Sequence, residues 1–286
     1  MPAMMYGTAW KKERTADLVH DAIRAGFRGI DTAAMERHYN EKGTGEGIRR
    51  AIQDGLVTRE DLWIQTKYTP YDEPYASQPE RYPTVTSQVL ASVHNSLVNL
   101  ATPSSGGEPY LDALVLHSPF NTLDETLEAW TALATLVPHQ VRALGISNVT
   151  LPTLRMLSTS NVPPTIVQNR IRRAERAFDV DVRRWCADRG PSVKYQGFWT
   201  LTGNRAEWPT AGFVGRVAEG AGVGREVAWY ALLMAADVVV LNGTTSAEHM
   251  RGDLEGVEKV RKWREGDEGR VAWEECWKEF LGMVGK

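Results

Sequence analysis

The sequence contains little cysteine, no long apolar segment and almost no excess of charge. Its two cysteines, Cys186 and Cys276, are far apart in a chain of 286 residues, which excludes a disulfide framework and a Cys-x-x-Cys metal or redox site. No apolar run approaches the length of a membrane-spanning helix. A net charge of -3 gives no electrostatic reason to expect nucleic acid or an anionic membrane as a partner. We therefore expect a cytoplasmic protein with no metal, nucleic-acid or membrane partner.

A glycine-rich phosphate-binding turn is also missing near the start of the chain. Doubly wound sheets that bind dinucleotides carry G-x-G-x-x-G after an early strand, whereas this chain has Gly7-Thr8-Ala9-Trp10. The difference argues against a Rossmann site. It leaves the doubly wound sheet as the second choice of fold.

The chain does contain a regular alternation of strand and helix patterns. Eight apolar runs of strand length are each followed by a helical pattern, which is typical of an α/β protein with a (β/α)8 TIM barrel. We expect strands at residues 6–10, 27–31, 62–67, 111–117, 141–146, 165–168, 192–199 and 238–241. We expect helices at residues 15–26, 41–53, 89–100, 123–137, 151–157, 181–188, 225–235 and 246–263, and an extra C-terminal helix at 271–284.

Loops are expected where proline, glycine and serine collect. A loop with four prolines lies within residues 70–83, a flexible one covers residues 103–107, and a third follows the seventh strand. The interpretation is a single barrel domain covering residues 1–286.

Polar residues collect where the predicted strands end. In a TIM barrel the working residues lie at the C-terminal ends of the strands. Here these ends carry Asp31, Lys67, His117, Ser147, Asn148, Gln168, Trp199, Gly243 and Thr244. A carboxylate at the end of a buried strand is costly unless a cation meets it. We therefore expect Asp31 to pair with Lys67.

Seven collinear motifs between residues 7 and 254 give the chain a family resemblance. They are Gly26-Phe27-Arg28-Gly29-Ile30-Asp31-Thr32-Ala33, Tyr39-Asn40-Glu41, Thr66-Lys67, Leu116-His117-Ser118-Pro119, Gly145-Ile146-Ser147-Asn148, Gln168-Asn169 and Gly243-Thr244-Thr245-Ser246. Together they resemble the aldo-keto reductases. Two further segments, His38-Tyr39-Asn40-Glu41 and Phe198-Trp199-Thr200-Leu201-Thr202, are most similar to a fungal branch of that family.

The resemblance implies an NADP-dependent oxidoreductase that transfers hydride to the carbonyl of an aldehyde or ketone. Its catalytic residues would be Asp31, Tyr39, Lys67 and His117. A lysine cation beside a phenol favours the phenolate, so we expect Lys67 to lower the pKa of Tyr39 from about 10 toward neutral pH. Tyr39 would then act as the general acid, and a neutral His117 would polarise the carbonyl.

The turn between Asp31 and Tyr39 is longer than in the commonest form of the family. Glu36 stands where that form carries its tyrosine. A carboxylate cannot replace a phenol as the acid at neutral pH unless its pKa is strongly raised. We therefore assign the acid to Tyr39.

The resemblance also assigns residues to a nicotinamide cofactor. They are Gly7, Thr8, Asp31, Ser147, Asn148, Gln168, Trp199, Thr200, Leu201, Gly243, Thr244, Thr245, His249 and Asp253. Gly243 and His249 replace the lysine and arginine that usually hold the 2′-phosphate, with Arg251 close by, and a missing cation weakens phosphate discrimination. We expect NADP(H) as cofactor, with NAD(H) possible.

Aromatic residues would surround the carbonyl. The residues assigned to the substrate pocket are Trp10, Tyr68, His117, Phe120 and Trp199, which predict an apolar or aromatic substrate, and the short tail after the last helix suggests a bulky one. We expect a monomer or weak dimer.

Two alternatives remain at this point: a non-catalytic regulatory subunit that binds a nicotinamide nucleotide, and a barrel lyase that uses Lys67 as a Schiff-base amine.

Overall fold

Strands and helices alternate along the chain in a computed structural model that describes residues 1–71, 73–102, 108–174 and 176–285. The strands are β1 Met4–Gly7, β2 Gly29–Asp31, β3 Trp63–Tyr68, β4 Ala113–Leu116, β5 Leu144–Ser147, β6 Ile166–Arg170, β7 Lys194–Phe198 and β8 Val238–Asn242. They follow one another in chain order in a closed barrel. This order confirms the predicted (β/α)8 TIM barrel, with strand ends displaced by a few residues.

The helices include two that the sequence patterns did not predict. They are α1 Thr15–Ala25, α2 Glu41–Gln53, α3 Glu73–Ala76, α4 Val85–Leu100, α5 Leu123–Ala134, α6 Leu151–Leu157, α7 Arg176–Ala187, α8 Gly212–Ala221, α9 Arg225–Ala235, α10 Ala247–Glu265 and α11 Asp267–Val284. The short α3 interrupts the proline-containing loop, and α8 occupies part of the segment expected to be a loop after β7. The extra C-terminal helix is present as α11. The loop expected at residues 103–107 lies outside the described residues.

The first of two compact units covers Met1–Gln168. Its parallel register pairs Ile30 of β2 with Tyr6 of β1 and Ile64 of β3, and all three side chains are buried. Helix α1 ends at Gly26, whose φ of 115° lies in the left-handed region that favours glycine. Gly47 allows helix α2 to pack closely on α1, because it has no side chain at the contact. A Cβ at this position would lie 2.5 Å from the carbonyl oxygen of Ala16.

The second unit runs from Asn169 to the end of the chain. It contains the parallel pair β7–β8, in which Tyr195 is opposite Val238. Its helices pack through aromatic side chains, since the rings of Trp229 and Phe280 lie 5.6 Å apart, edge to face. Strand β6 begins in the first unit and ends in the second. The single domain expected from the sequence stays a prediction.

No helix among the described residues is long and apolar enough to cross a membrane. Within the same ranges, no group of three or more His, Cys, Asp or Glu side chains could hold a metal ion.

Candidate active site

The first unit contains a buried ion pair at the carboxyl ends of β2 and β3. The Lys67 Nζ lies 2.6 Å from Oδ2 of Asp31 and donates a second hydrogen bond to the carbonyl oxygen of Thr32, at 2.8 Å. The Lys67 and Asp31 side chains are 1% and 3% exposed. The cation that the carboxylate requires is therefore Lys67, as the sequence predicted.

The second oxygen of Asp31 is bound by two amide side chains. The Nε2 atoms of Gln65 and Gln168 donate to Oδ1 of Asp31 at 2.7 and 3.1 Å. Gln65 and Lys67 are two residues apart on β3, so strand alternation places both on one face. Charge and hydrogen bonds together offset the cost of burying this carboxylate.

The long turn after β2 brings Tyr39 to this ion pair. The Tyr39 ring centroid is 5.2 Å from Nζ of Lys67 and 6.0 Å from the ring centroid of His117. The turn closes where the backbone N–H groups of His38 and Tyr39 both donate to the carbonyl of Met35. Glu36, the alternative position for the acid, is exposed at the outside of this turn.

Trp10 holds the turn from the β1 side. Its ring centroid lies 3.9 Å from that of His38, and its backbone N–H donates to the His38 carbonyl at 2.7 Å. At the other end of the turn, Asn40 caps α2 by accepting a hydrogen bond from the N–H of Gly43. The residues on both sides of Tyr39 are thus fixed by contacts to neighbouring elements.

The pKa of Tyr39 departs from the sequence-based expectation. Burial raises it above the usual value for tyrosine, Lys67 lowers it and Asp31 raises it, and burial is the largest of the three influences. The expected net lowering toward neutral pH was therefore wrong. The consequence is a phenol that keeps its proton at neutral pH and can donate it.

His117 is uncharged and held at three points. Burial and the nearby Lys67 and His38 lower the pKa of its imidazole to about 3. Its Nδ1 lies 2.8 Å from the hydroxyl of Thr69. Its backbone N–H donates to Tyr68, and its carbonyl accepts from Nδ2 of Asn148. The neutral state matches the expectation for this histidine.

Three predicted cofactor residues lie together beside Asp31 and His117. Ser147 and Gln168 are paired in the register of β5 and β6, and both are buried. Asn148 follows with φ of 53° and donates from Nδ2 to Oγ of Ser147 at 3.2 Å. The Oδ1 of Asn148 accepts no hydrogen bond from the described part of the protein. The hydroxyl proton of Ser147 and the amide oxygen of Asn148 are therefore available to bind a ligand.

The other predicted cofactor residues of the first unit lie at the end of β1. Gly7 is opposite Asp31 in the strand register. The backbone N–H and the hydroxyl of Thr8 both reach the carbonyl oxygen of Asp31, at 3.0 and 3.2 Å. The backbone next to the ion pair is therefore fixed from this side as well.

The second unit contains Trp199 and the two residues after it. Trp199 is 46% exposed, has φ of 58°, and lies under the guanidinium groups of Arg170 and Arg172, at 4.7 and 5.9 Å from its ring centroid. Thr200 is buried, and its carbonyl accepts from Nε1 of Trp229. The carbonyl of Leu201 accepts from a further tryptophan indole. Of these three consecutive residues, Trp199 alone presents a large exposed side chain.

The remaining predicted cofactor residues surround the start of α10. Ser246 caps this helix and accepts from the N–H of His249, while Thr244 binds Asn242 through its own N–H. Asn242 in turn donates to Asp253, whose pKa is raised by burial. Gly243, Thr245 and His249 are exposed. The structure thus places this group at the end of β8, where the motif predicted it.

The aromatic residues assigned to the substrate differ in exposure. Trp10 is 63% exposed, whereas Tyr68 is 1% exposed and stacks on Phe120, with 6.3 Å between the ring centroids. Tyr68 follows Lys67 on β3, so strand alternation turns it to the opposite face. Its assignment to the substrate pocket stays a prediction. Tyr71, half exposed and edge-on to Phe120, was not singled out by the sequence.

Gln65 and Thr69 were also missed as members of the site. Gln65 is two residues before Lys67, so the strand period offered a signal for it. Thr69 lies beyond the end of β3, where neither period nor motif marks a single threonine. Both bind groups that the sequence did identify, Asp31 and His117.

The strand order places this chain among the (β/α)8-barrel proteins, and sequence comparison gives its family. The Aldo/keto reductase family matches residues 3–196. That is more than half of the chain, and the chain belongs to this family. The match includes the Asp31, Tyr39, Lys67 and His117 positions and ends within β7.

Two curated relatives illustrate the similarity in sequence. The chain is 34% identical to the uncharacterized oxidoreductase YtbE of Bacillus subtilis over 174 residues, 60% of this chain and 54% of that protein. It is 48% identical to the NAD(P)H-dependent pentose reductase of Pyricularia oryzae over 69 residues, 23% of this chain and 20% of the relative. The match to YtbE spans about half of that protein's length.

A solved structure illustrates the similarity in fold. It is the aldo-keto reductase AKR2E4 of Bombyx mori in complex with NADP. It superimposes with a TM-score of 0.70 over 92% of this chain and 89% of the other, at 20% sequence identity. At this identity the comparison supports the fold, which agrees with the strand order described above.

Proposed function

We propose that this chain reduces the carbonyl of an aldehyde or ketone with a nicotinamide cofactor, with Tyr39 as the general acid. The observation that carries the proposal is the cluster around Lys67: a carboxylate at 2.6 Å, a phenol ring at 5.2 Å, and a neutral imidazole next to that phenol. A buried lysine held as a cation stabilises the phenolate that forms when Tyr39 gives up its proton.

The pKa directions agree with an acid that works from its protonated form. Tyr39 retains its proton at neutral pH because burial raises its pKa, so the donor is present before reaction begins. When bound, the reduced cofactor supplies hydride to the carbonyl carbon. Tyr39 then gives its proton to the carbonyl oxygen, and Lys67 offsets the negative charge left on the phenol. His117, being neutral, orients the carbonyl oxygen by a hydrogen bond.

The groups beside Asp31 fit the carboxamide of a nicotinamide. A carboxamide offers N–H donors and one carbonyl acceptor. Ser147 has a hydroxyl proton, and Asn148 has an amide oxygen, for which no acceptor or donor is found among the described residues. The pair therefore offers the complementary donor and acceptor. The roles of the second unit's residues, including stacking by Trp199, rest on the family resemblance.

For the cofactor we propose NADPH, with NADH as a weaker substrate. Support comes from the Pyricularia oryzae relative, described as NAD(P)H-dependent, and from the NADP bound to the Bombyx mori structure. Exposed His249 and neighbouring Arg251 provide only part of the cationic contact that a 2′-phosphate favours. Initial rates with each cofactor at matched concentrations test this choice, and a large preference for NADH would overturn it.

A Schiff-base lyase and a non-catalytic subunit receive less support. The Lys67 ammonium has two of its three N–H groups bound, to Asp31 and to Thr32, and it is almost fully buried, so it is not presented as a free amine. A non-catalytic subunit would not need the protonated phenol and neutral imidazole side by side.

The finer expectations remain proposals. Exposed Trp10 and Tyr71 of the first unit support a bulky apolar or aromatic substrate, and the contribution of Trp199 rests on the family resemblance. The 48% identity to the Pyricularia oryzae segment supports a place in the fungal branch. A monomer or weak dimer in the cytoplasm, with a small-molecule carbonyl substrate as its partner, stays as expected from the sequence.

The experiment that tests the function is a carbonyl screen with Tyr39→Phe beside the wild type. Loss of reduced-nicotinamide absorbance is followed with aromatic and aliphatic aldehydes. Tyr39→Phe removes only the proton donor, so we expect kcat to fall roughly 10²- to 10⁴-fold while cofactor affinity stays unchanged. Tyr82→Phe, a tyrosine that packs on Tyr75, is the matched control. Near-normal turnover by Tyr39→Phe would exclude this acid.

A further inference from the structure

Thr69 lies two residues beyond Lys67, outside every motif of the family resemblance. Its hydroxyl oxygen is 2.8 Å from Nδ1 of His117. We propose that Thr69 is a positioning residue that donates this hydrogen bond and so fixes His117 as the tautomer with its proton on Nε2. The catalytic consequence rests on the proposed function, whereas the tautomer can be observed without it.

The argument starts from the charge of the imidazole. A neutral histidine carries one ring proton, on either Nδ1 or Nε2, and the partner of one nitrogen decides where it resides. The pKa of His117, lowered to about 3 by burial, Lys67 and His38, leaves the ring with one proton throughout the neutral range. Only the choice between two tautomers remains.

The hydrogen bonds favour one of the two. If Nδ1–H donated to Thr69, the threonine hydroxyl proton would have no acceptor among the described residues and would depend on solvent, because Thr69 is half-buried. If the hydroxyl donates instead, its proton is used and Nδ1 accepts. The ring proton then resides on Nε2, the nitrogen with no hydrogen-bond partner in the described ranges. Nε2–H is thus left to bind a carbonyl oxygen.

Two hydrogen bonds fix the backbone of His117, but its imidazole ring can still rotate. The contact with Thr69 controls that rotation. The His117 N–H donates to the carbonyl of Tyr68 at 2.8 Å, and its carbonyl accepts from Nδ2 of Asn148 at 2.9 Å. These bonds fix the residue but not rotation of the imidazole about its side-chain bonds. A hydrogen bond to Nδ1 fixes that rotation and the tautomer together.

Thr69→Val tests the inference because it keeps the side-chain shape and removes the hydroxyl. We expect a fall in kcat of about 10- to 100-fold with cofactor affinity unchanged, since the carbonyl loses an oriented donor. Thr69→Ser, which restores a hydroxyl, should recover most of the loss. Thr131→Val is the control, because within the described residues that hydroxyl binds the carbonyl of Leu127 in its own helix and no other group.

Nitrogen-15 NMR of the histidine ring supplies a measurement independent of activity. In the wild type we expect the signal of an unprotonated Nδ1 and a protonated Nε2 for His117, identified by its absence in His117→Gln. In Thr69→Val we expect a mixture of tautomers. A wild-type ring protonated on Nδ1, or a Thr69→Val ring unchanged from wild type, would overturn the inference.

The two proposals fail in different ways. If the wild type reduces no carbonyl compound, the proposed function fails while the tautomer measurement still decides the role of Thr69. If the wild type is active and Thr69→Val is equally active with the same ring signals, the role of Thr69 fails alone. Loss of kcat in Thr69→Val that Thr69→Ser does not restore also contradicts it.

Discussion

Two buried ion pairs lie at opposite ends of the barrel strands in the first unit, and both involve β3 or the residues next to it. Lys67 and Asp31 meet at 2.6 Å at the carboxyl ends of β2 and β3. Arg59 and Asp112 meet at 2.7 Å where β3 and β4 begin, with side chains 3% and 6% exposed. Distance and burial are nearly equal. The difference between the pairs lies in their neighbours.

The pair at the amino ends is surrounded by groups that complete it. Asp112 also accepts from the N–H of Ile64 and from Arg142, and the guanidiniums of Arg59 and Arg142 lie 3.9 and 3.8 Å from the ring centroid of Tyr110. Each of these charges meets an opposite charge, a ring face or a backbone group. Such an arrangement compensates each buried charge and serves the stability of the fold.

The pair at the carboxyl ends lies instead beside groups that can exchange protons. Tyr39 is 5.2 Å from Nζ of Lys67, and His117 is adjacent to that ring. At the carboxyl ends the cation lies beside a phenol whose neighbour is the neutral imidazole of His117, whereas at the amino ends the two guanidiniums lie over the ring of Tyr110. Similar pairs therefore serve stability at one end and, in our proposal, chemistry at the other.

Removing the cation beside Tyr39 should produce the largest effect. Lys67→Met keeps the length of the side chain and deletes its charge, so the forming phenolate loses its counter-charge. We expect roughly a thousandfold fall in kcat, within the range of a lost acid–base or electrostatic group. The check is single-turnover reduction with saturating cofactor. Circular dichroism must first show that the variant is folded, and activity within about tenfold of wild type would refute the assignment.

Removing the cation at the amino ends should affect stability instead of activity. Arg59→Met leaves Asp112 buried with only partial compensation, and breaking such a pair costs about 3–5 kcal/mol. We expect a drop of this size in the free energy of unfolding, measured by urea denaturation. The kcat of the folded fraction should stay within about twofold of wild type, because the substitution removes no group that takes part in the reaction.

An outcome in which Arg59→Met loses activity in proportion to Lys67→Met would remove the contrast between the two ends. Denaturation curves recorded with and without cofactor separate the two effects. A stability loss common to both variants, with activity lost in only one, is the expected pattern.

The smallest effect is expected for Arg142, the exposed arginine of the same cluster. Arg142 approaches Asp112 at 3.2 Å, but its side chain is 57% exposed. Arg142→Gln should lower the free energy of unfolding by about 1 kcal/mol or less, because exposed pairs and ring contacts contribute little. Urea denaturation in low and high salt measures it. A loss as large as that of Arg59→Met would show that exposure does not separate the two arginines.

Much of this architecture could be predicted from the sequence, because the periods of strands and helices and the residues that end them are local signals. Helix α6 and helix α9 begin and end where their apolar spacing predicted. Helix α8 was missed because three glycines weaken its helical signal, although the buried Phe213 and Val217 have helical spacing.

The sequence predicted the site residues that belong to a motif. It did not predict properties that depend on burial or on side-chain rotamers. Asp31 ends β2, Lys67 is the last residue but one of β3 and His117 directly follows β4, so position identified them. The raised pKa of Tyr39 depends on how deeply the turn is packed, which the sequence does not state. Likewise, a single threonine such as Thr69 becomes a partner of His117 only through the path of the chain after β3.

The turn that carries Tyr39 is held at three points along its length. Its start is fixed by Asp31 in β2, its end by the Asn40 cap of α2, and its middle by Trp10 against His38. Glu36 and Arg37 lie between these anchors with exposed side chains, and the hydrogen bonds that close the turn there come from the backbone. We therefore expect side-chain substitutions at these two positions to leave the acid in place, whereas a change in the number of residues would break the bonds to Met35.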